Sequence, residues 1–429
     1  MSILRTTNLK DYLLVLIALN GQLHEKQLDN ISCMPKYKYN ALGELTRESK
    51  VDKTSSELGV LYRLKRPNGL NAVLEISQEL YDHYLLITNN HKKRNDIPYL
   101  SRAIAQSKIV TLLSQNDCSI NSITINYDNT KRTTKRKDTT TIPAPQPSEL
   151  LNSKLQKAPL IKRGGLLQPI VNAFDKNYIN KNMNGESFIY LTSIIFKRLA
   201  PEIEEQALII SRFTGVLLSP GGCYTVYQLE SDQTWLTDSE KKFQKDLKNY
   251  LQGTYPMLLI QKFDLVKRRG TGIFFVENYE IEVYMWIGKR KKKRNRTPVV
   301  PYQVCDNCHL LPLDKEDSRV PLELLKTVDW ETKLKRLIYT EEELANANIN
   351  PEIKADAFIK DRGYSFEMLS CNLKKLYIIE EGSWTEKVNI LCYSWQHMPL
   401  VKTLKRLKVS YTIIDGPKLM EAIGGITND

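Results

Sequence analysis

Histidine is scarce in this chain. Five occur, at positions 24, 83, 91, 309 and 397, and no two form a His-x-His pair. A relaxase or rolling-circle initiator of the metal-histidine type needs such a pair, so that class is not expected. No Gly-x-x-x-x-Gly-Lys is present, which argues against a P-loop ATPase, and Gly270-Thr271-Gly272 is only a weak loop signal. No run of about 18 apolar residues occurs, so no membrane partner is expected. Met1 to Lys10 lacks the apolar stretch of an export signal. The cysteines, at 33, 118, 223, 305, 308, 371 and 392, are odd in number and scattered. That pattern suits reduced thiols in a cytoplasm, the expected location, better than a disulfide framework.

What the chain does have is positive charge. Lysine and arginine number 62 against 49 acidic residues, and the net charge of +13 points to a nucleic-acid partner. A composition of 41% hydrophobic and 26% charged residues is that of an ordinary globular protein, and 429 residues suffice for two or three domains.

The first ~85 residues read as a winged helix. Leu9, Tyr12, Leu13, Leu16 and Ile17 recur at helical spacing, and Asn20-Gly21 ends that helix. His24 to Ile31 fits a short second helix. Pro35 suits the first turn of a third, where a missing N–H is no loss. In that helix Lys36, Asn40, Gly43 and Arg47 share one face, a small, polar and basic surface that can lie in a major groove. Two alternating runs follow, Leu58 to Leu64 and Leu70 to Ile76, joined at Pro67-Asn68-Gly69 as a hairpin. Arg63, Lys65 and Arg66 approach the tip of this wing, where phosphates of duplex DNA would lie. The competing reading is a module that only contacts protein.

The expected fold class is α+β: a winged-helix domain at 1–120, a basic Pro/Thr-rich linker at 121–165 and a mixed α/β domain at 166–429. Helices are expected over Gln78 to Ile87 and Pro98 to Ser114 in the first. The linker holds Lys131-Arg132, Lys135-Arg136-Lys137 and Pro143, Pro145 and Pro147, little that can form a core. The last domain begins with a helix over Phe188 to Leu199 and a hairpin around Pro220-Gly221-Gly222. A helix over Thr237 to Leu251 and strands over Met257 to Phe263 and Ile281 to Ile287 follow. The run Lys289, Arg290, Lys291, Lys292, Lys293 and Arg294 reads either as a phosphate clamp or as a solvated loop tip. A helix over Leu322 to Leu337 precedes paired strands, Ala355 to Ile359 and Ser365 to Leu369, around Asp361-Arg362-Gly363. Helices and strands then alternate to the end. No convincing internal repeat is evident, although both ends of this domain use a hairpin followed by a helix.

Two constellations could carry chemistry. Asp356 and Glu367 fall on neighbouring expected strands. Metal-dependent nucleases of the restriction-endonuclease type resemble this, with an Asp, then Glu-x-Lys about ten residues on, then a helix and a strand. The resemblance implies carboxylates that hold Mg²⁺ and a lysine at the scissile phosphate. Here the lysine position is Leu369, and Lys374 and Lys375 follow only on the next element, so the motif is broken. The hairpin at 214–230 offers Glu230, again with no lysine two residues later. Cys305 and Cys308 make half a zinc site, with no second Cys-x-x-Cys to complete it. Two reduced thiols in a turn is the preferred reading.

The layout resembles the replication-relaxation type of winged-helix proteins, encoded on plasmids and integrative elements of Gram-positive bacteria. The resemblance rests on the winged helix and, more loosely, on Ala355-Asp-Ala-Phe-Ile-Lys through Asn372-Leu-Lys-Lys-Leu. It implies a DNA-binding accessory protein of a mobile element, in replication, mobilisation or control, with a nuclease-like domain that has lost catalysis and needs no cofactor. The alternatives are a Mg²⁺-dependent nuclease using Asp356 and Glu367, and an adaptor for a protein of the element or host. Duplex DNA is the expected partner; a homodimer is left open.

Overall fold

The computed structural model describes residues 2–6, 9, 13, 22–24, 36–37, 40, 61–64, 73–76, 97–120, 123–127, 188–193, 213–229, 245–246, 271–286, 305, 307–313, 315–347, 354–405 and 408–425. Arg47, Lys65, Arg66 and the run from Lys289 to Arg294 lie outside the described residues, as do the expected helices at 78–87 and 237–251 beyond Lys245 and Asp246. The chain divides into two compact units, Met1–Asn184 with Ile189–Leu199, and Gly185–Phe188 with Ala200–Asp429.

In the first unit, β2 (Gln22–His24), β3 (Leu61–Leu64) and β4 (Val73–Ile76) form an antiparallel sheet in the order β2-β4-β3. Helix α1 (Ile97–Gln115) packs against β2 and β4. A second group holds β1 (Ser2–Thr6), β5 (Ser119–Ile120), β6 (Ile123–Tyr127) and β7 (Ile189–Thr192). There β1 runs parallel to β6, and β5 pairs with both β6 and β7. Strand β6 takes the first residues of the stretch expected as linker, because Ile123, Ile125 and Tyr127 alternate in the strand period. Strand β7 takes residues 189–192 of the stretch expected as a helix; Ile189 and Thr192 are β-branched, Tyr190 is aromatic, and all four residues are buried.

The second unit is mixed α/β. Strands β8 (Phe213–Ser219) and β9 (Gly222–Leu229) form a hairpin, β10 (Thr271–Val276) lies parallel to β9, and β11 (Asn307–Pro312) lies parallel to β10. A separate sheet runs β12 (Ala357–Ile359), β13 (Gly363–Glu367), β14 (Val388–Cys392) and β15 (Val409–Ile413), antiparallel at the first pair and parallel after it. The helices are α2 (Tyr279–Trp286), α3 (Lys315–Lys326), α4 (Trp330–Ile338), α5 (Glu341–Ala347), α6 (Leu373–Glu381), α7 (Ser394–Thr403) and α8 (Gly416–Gly425).

Helix α2 stands where a strand was expected. The Asn278 side chain accepts the Ile281 amide at 3.1 Å, Glu280 and Glu282 lie in the first turn, and buried Tyr279 and Val283 are one turn apart. The helix expected over 322–337 is two, α3 and α4, broken where Asp329 turns left-handed at φ 52°. Around the β12–β13 hairpin, Tyr339, Ala357 and Leu391 make a buried cluster covered by Ile338, Leu344, Ile359 and Ile414.

Candidate active site

Asp356 immediately precedes β12 and Glu367 ends β13. The two strands are antiparallel, so the start of one and the end of the other lie at the same end of the hairpin. The turn between them is tight. Gly363 has φ +81°, and a Cβ there would stand 2.0 Å from the Lys387 carbonyl oxygen. Glycine meets both demands.

After Glu367 the chain folds back sharply. The Cys371 amide bonds the Met368 carbonyl at 3.0 Å, and Cys371 is left-handed at φ 57°, an uncommon conformation away from glycine. This turn returns Ser370 to the end of β13. Its amide donates to Glu367 Oε2 at 3.0 Å and its hydroxyl to Glu367 Oε1 at 2.9 Å. Asn372 then caps α6, its side chain accepting the Lys374 amide at 3.1 Å.

Lys375 lies in the first turn of that capped helix, and its ammonium reaches both carboxylates. Nζ donates to Asp356 Oδ2 at 2.7 Å and to Glu367 Oε1. Asp356 Oδ2 also accepts the Glu367 amide at 2.9 Å, and Lys335 from α4 stands 3.3 Å from Asp356 Oδ1. The carboxylate side chains are 7% and 3% exposed, Lys375 17% and Lys335 41%, so the lysines are the more exposed members of the cluster.

Electrostatics separates the two acids. Burial alone would raise Asp356, but Lys375, Lys335 and the Glu367 amide together hold it below the ordinary carboxylate range. Burial raises Glu367, and the Asp356 charge adds to it against the pull of Lys375. Lys375 itself is raised: burial disfavours its charge, yet the two carboxylates outweigh that cost.

A further residue, from β11, supports the turn. His309 Nδ1 lies 2.6 Å from the Ser370 carbonyl oxygen, so Nδ1 carries the proton. The ring sits edge-on between Tyr224 and Trp330, and among the described residues Nε2 has no hydrogen-bond partner. The Leu310 amide donates to the Cys371 carbonyl at 2.9 Å beside it.

Asp356 and Glu367, picked out in the sequence, thus stand together; the expected lysine position, Leu369, is buried and apolar. Sequence reasoning missed Lys375, Lys335, Ser370 and His309 as partners. The available signal was Asn372 as a cap, which fixes the phase of α6. Cys305 and Cys308 are fully buried, the Cys308 thiol donating to the Cys305 carbonyl at 3.4 Å. Among the described residues no group of three histidine, cysteine, aspartate or glutamate side chains gathers. Lys36 and Asn40 are helical and exposed, and Arg63 lies on β3.

The donor set suits a hard divalent cation. Asp356 and Glu367 each turn one oxygen to a single point, the one Lys375 Nζ occupies, and Mg²⁺ is commonly held by one or two carboxylates. No family model, curated protein or solved structure matches this chain. Among the described residues no helix is long and apolar enough to cross a membrane.

Proposed function

We propose that this chain is a DNA-binding protein whose second unit hydrolyses phosphodiesters with a divalent cation at Asp356, Glu367 and Lys375. The observation that carries the reading is the position of Lys375. It delivers from α6 the ammonium that Leu369 cannot, beside two carboxylates on a hairpin followed by helix and parallel strand. That arrangement fits a restriction-endonuclease-like core with its lysine moved to the next element. Asp356 and Glu367 would hold the cation, which supplies charge neutralisation at the phosphate and an activated water when bound. Lys375 and the more exposed Lys335 would attract the phosphate and offset its developing charge. Ser370 orients Glu367 through both of its oxygens.

DNA binding rests on other features. The β2-β4-β3 order fits the small sheet of a winged helix, Lys36 and Asn40 share an exposed helical face, and the net charge is +13. The resemblance to mobile-element proteins suggests replication or mobilisation as the setting.

A second reading, an accessory protein without catalysis, is favoured by one observation: an internal ammonium already satisfies both nearly buried carboxylates. The readings separate on end-labelled duplex DNA with Mg²⁺, Mn²⁺ or EDTA. The hydrolase reading expects cleavage with either metal, none in EDTA, and loss in D356N and E367Q. Duplex that is bound but intact with both metals contradicts it.

A further inference from the structure

The second unit carries the same chain path twice. In each half a hairpin is joined by two further strands, each parallel to the one before, and helices follow the third and fourth strands. These helices are α2 and α3 in the first lobe, α7 and α8 in the second. The hydrogen bonds align as well. Val276 and Cys392 end the third strands, and each carbonyl accepts an amide from the residue just past the fourth, Leu313 at 2.8 Å and Ile414 at 2.9 Å. Working back through the registers, Phe275 matches Leu391 and their partners, Gln228 and Glu367, match each other. Val226 then matches Ser365 and Gly215 matches Ala357; the first hairpin bulges at Thr214, so Phe213, paired with Tyr227, falls at the register position of Asp356 with Thr214 as the extra residue beside it.

The helices that match are also the helices that meet. Helix α2 packs on α7 and α3 on α8. The Tyr279 and Trp395 rings lie 4.8 Å apart, the Gln396 amide donates to the Tyr279 hydroxyl at 3.3 Å, and Lys402 pairs with Glu280 at 2.7 Å. An element that meets its own counterpart is the contact made by two copies related by a two-fold axis.

We propose that this unit is a duplicated, single-chain form of a symmetric dimer with one charged centre, and that it cuts one strand of a duplex per chain. The inference rests on the hydrolase reading above. The strands of a duplex are themselves related by two-fold axes, so a symmetric pair of lobes presents one centre to each strand. Here the first lobe has neutral residues at both strand positions, Gln228 at that of Glu367 and Phe213 with the bulged Thr214 at that of Asp356. The Thr214 hydroxyl donates to the Val226 carbonyl at 3.0 Å, whereas Asp356 accepts an amide. The product is a nick. A water oxygen bonds to phosphorus as one phosphorus–sugar oxygen bond breaks; the water releases its proton to solvent, and the departing sugar oxygen takes one up.

The test uses the full chain on closed supercoiled duplex circles with Mn²⁺, and sedimentation of the same chain on a short duplex without metal. Nicked circles accumulating before any linear DNA, with one chain per duplex, support the inference. Linear DNA formed alongside nicked circles from the outset, or two chains per duplex, overturns it and leaves the hydrolase reading standing. Circles left uncut while the duplex is bound overturn both.

Discussion

Lys375 ties the charges of the site together. Replacing it by methionine leaves two nearly buried carboxylates facing each other without their shared cation. Breaking a buried pair in this way costs about 3–5 kcal/mol, so K375M should lose stability on that scale in urea unfolding. The double variant K375M/E367Q removes one of the stranded charges and should recover a substantial part; strictly additive losses would show that the two groups do not interact. His309 makes a separate prediction. Burial lowers its imidazole from 6.5 to about 4, with the Ser370 carbonyl pulling the other way and the Lys375 charge adding to the fall. Between those values the unfolded chain binds a proton that the folded chain refuses. The stability from the neutral ring is therefore complete above the upper value, falls as pH drops through the window, and levels off below the lower one. The full difference is roughly 3 kcal/mol. In urea unfolding at pH 7 and pH 4.5, the loss for the native chain should exceed that for H309Q by about 2 kcal/mol. Equal losses would contradict a buried neutral ring.

At the scale of elements, the β12–β13 hairpin sets the distance between the acids. G363A adds a Cβ 2.0 Å from a backbone oxygen at a positive φ, so strain and collision act together. A cost of at least about 2 kcal/mol is expected, visible as a lower urea midpoint, and an unchanged midpoint would contradict the turn described. This hairpin was legible in the sequence because Asp361-Arg362-Gly363 separates two apolar runs. Strand β14 was legible as a short run that is apolar but for Asn389. Helix α2 was not, because Ile-Glu-Val-Tyr alternates like a strand and only the Asn278 cap reveals the helix. The two carboxylates were found from their places on neighbouring expected strands and from the resemblance to a metal-dependent nuclease motif. Their lysine was missed because its approach depends on a left-handed Cys371, and nothing in the sequence marks a non-glycine residue for that conformation. The duplication was hidden for a similar reason. The lobes share strand order and hydrogen bonding, yet the first has Phe213 with a bulged Thr214, and Gln228, where the second has Asp356 and Glu367.

At the scale of the molecule, the chain combines a strongly basic balance with a compact acidic-and-lysine centre. Binding to duplex DNA should weaken steeply with salt, because each phosphate neutralised releases counterions. Neutralising Arg63, Lys65 and Arg66 should flatten that dependence across all sequences, while changing Lys36 or Asn40 should alter sequence preference. A salt slope unchanged in the triple variant would move the contact away from these three residues. The central claim, that Asp356, Glu367 and Lys375 form a working centre, is tested most directly by incubating supercoiled circles with Mn²⁺ and either the native chain or E367Q. The account predicts nicked circles from the native chain and a loss of more than about 100-fold in E367Q. Circles left intact by a native chain that binds them, or cut equally by both proteins, would contradict it.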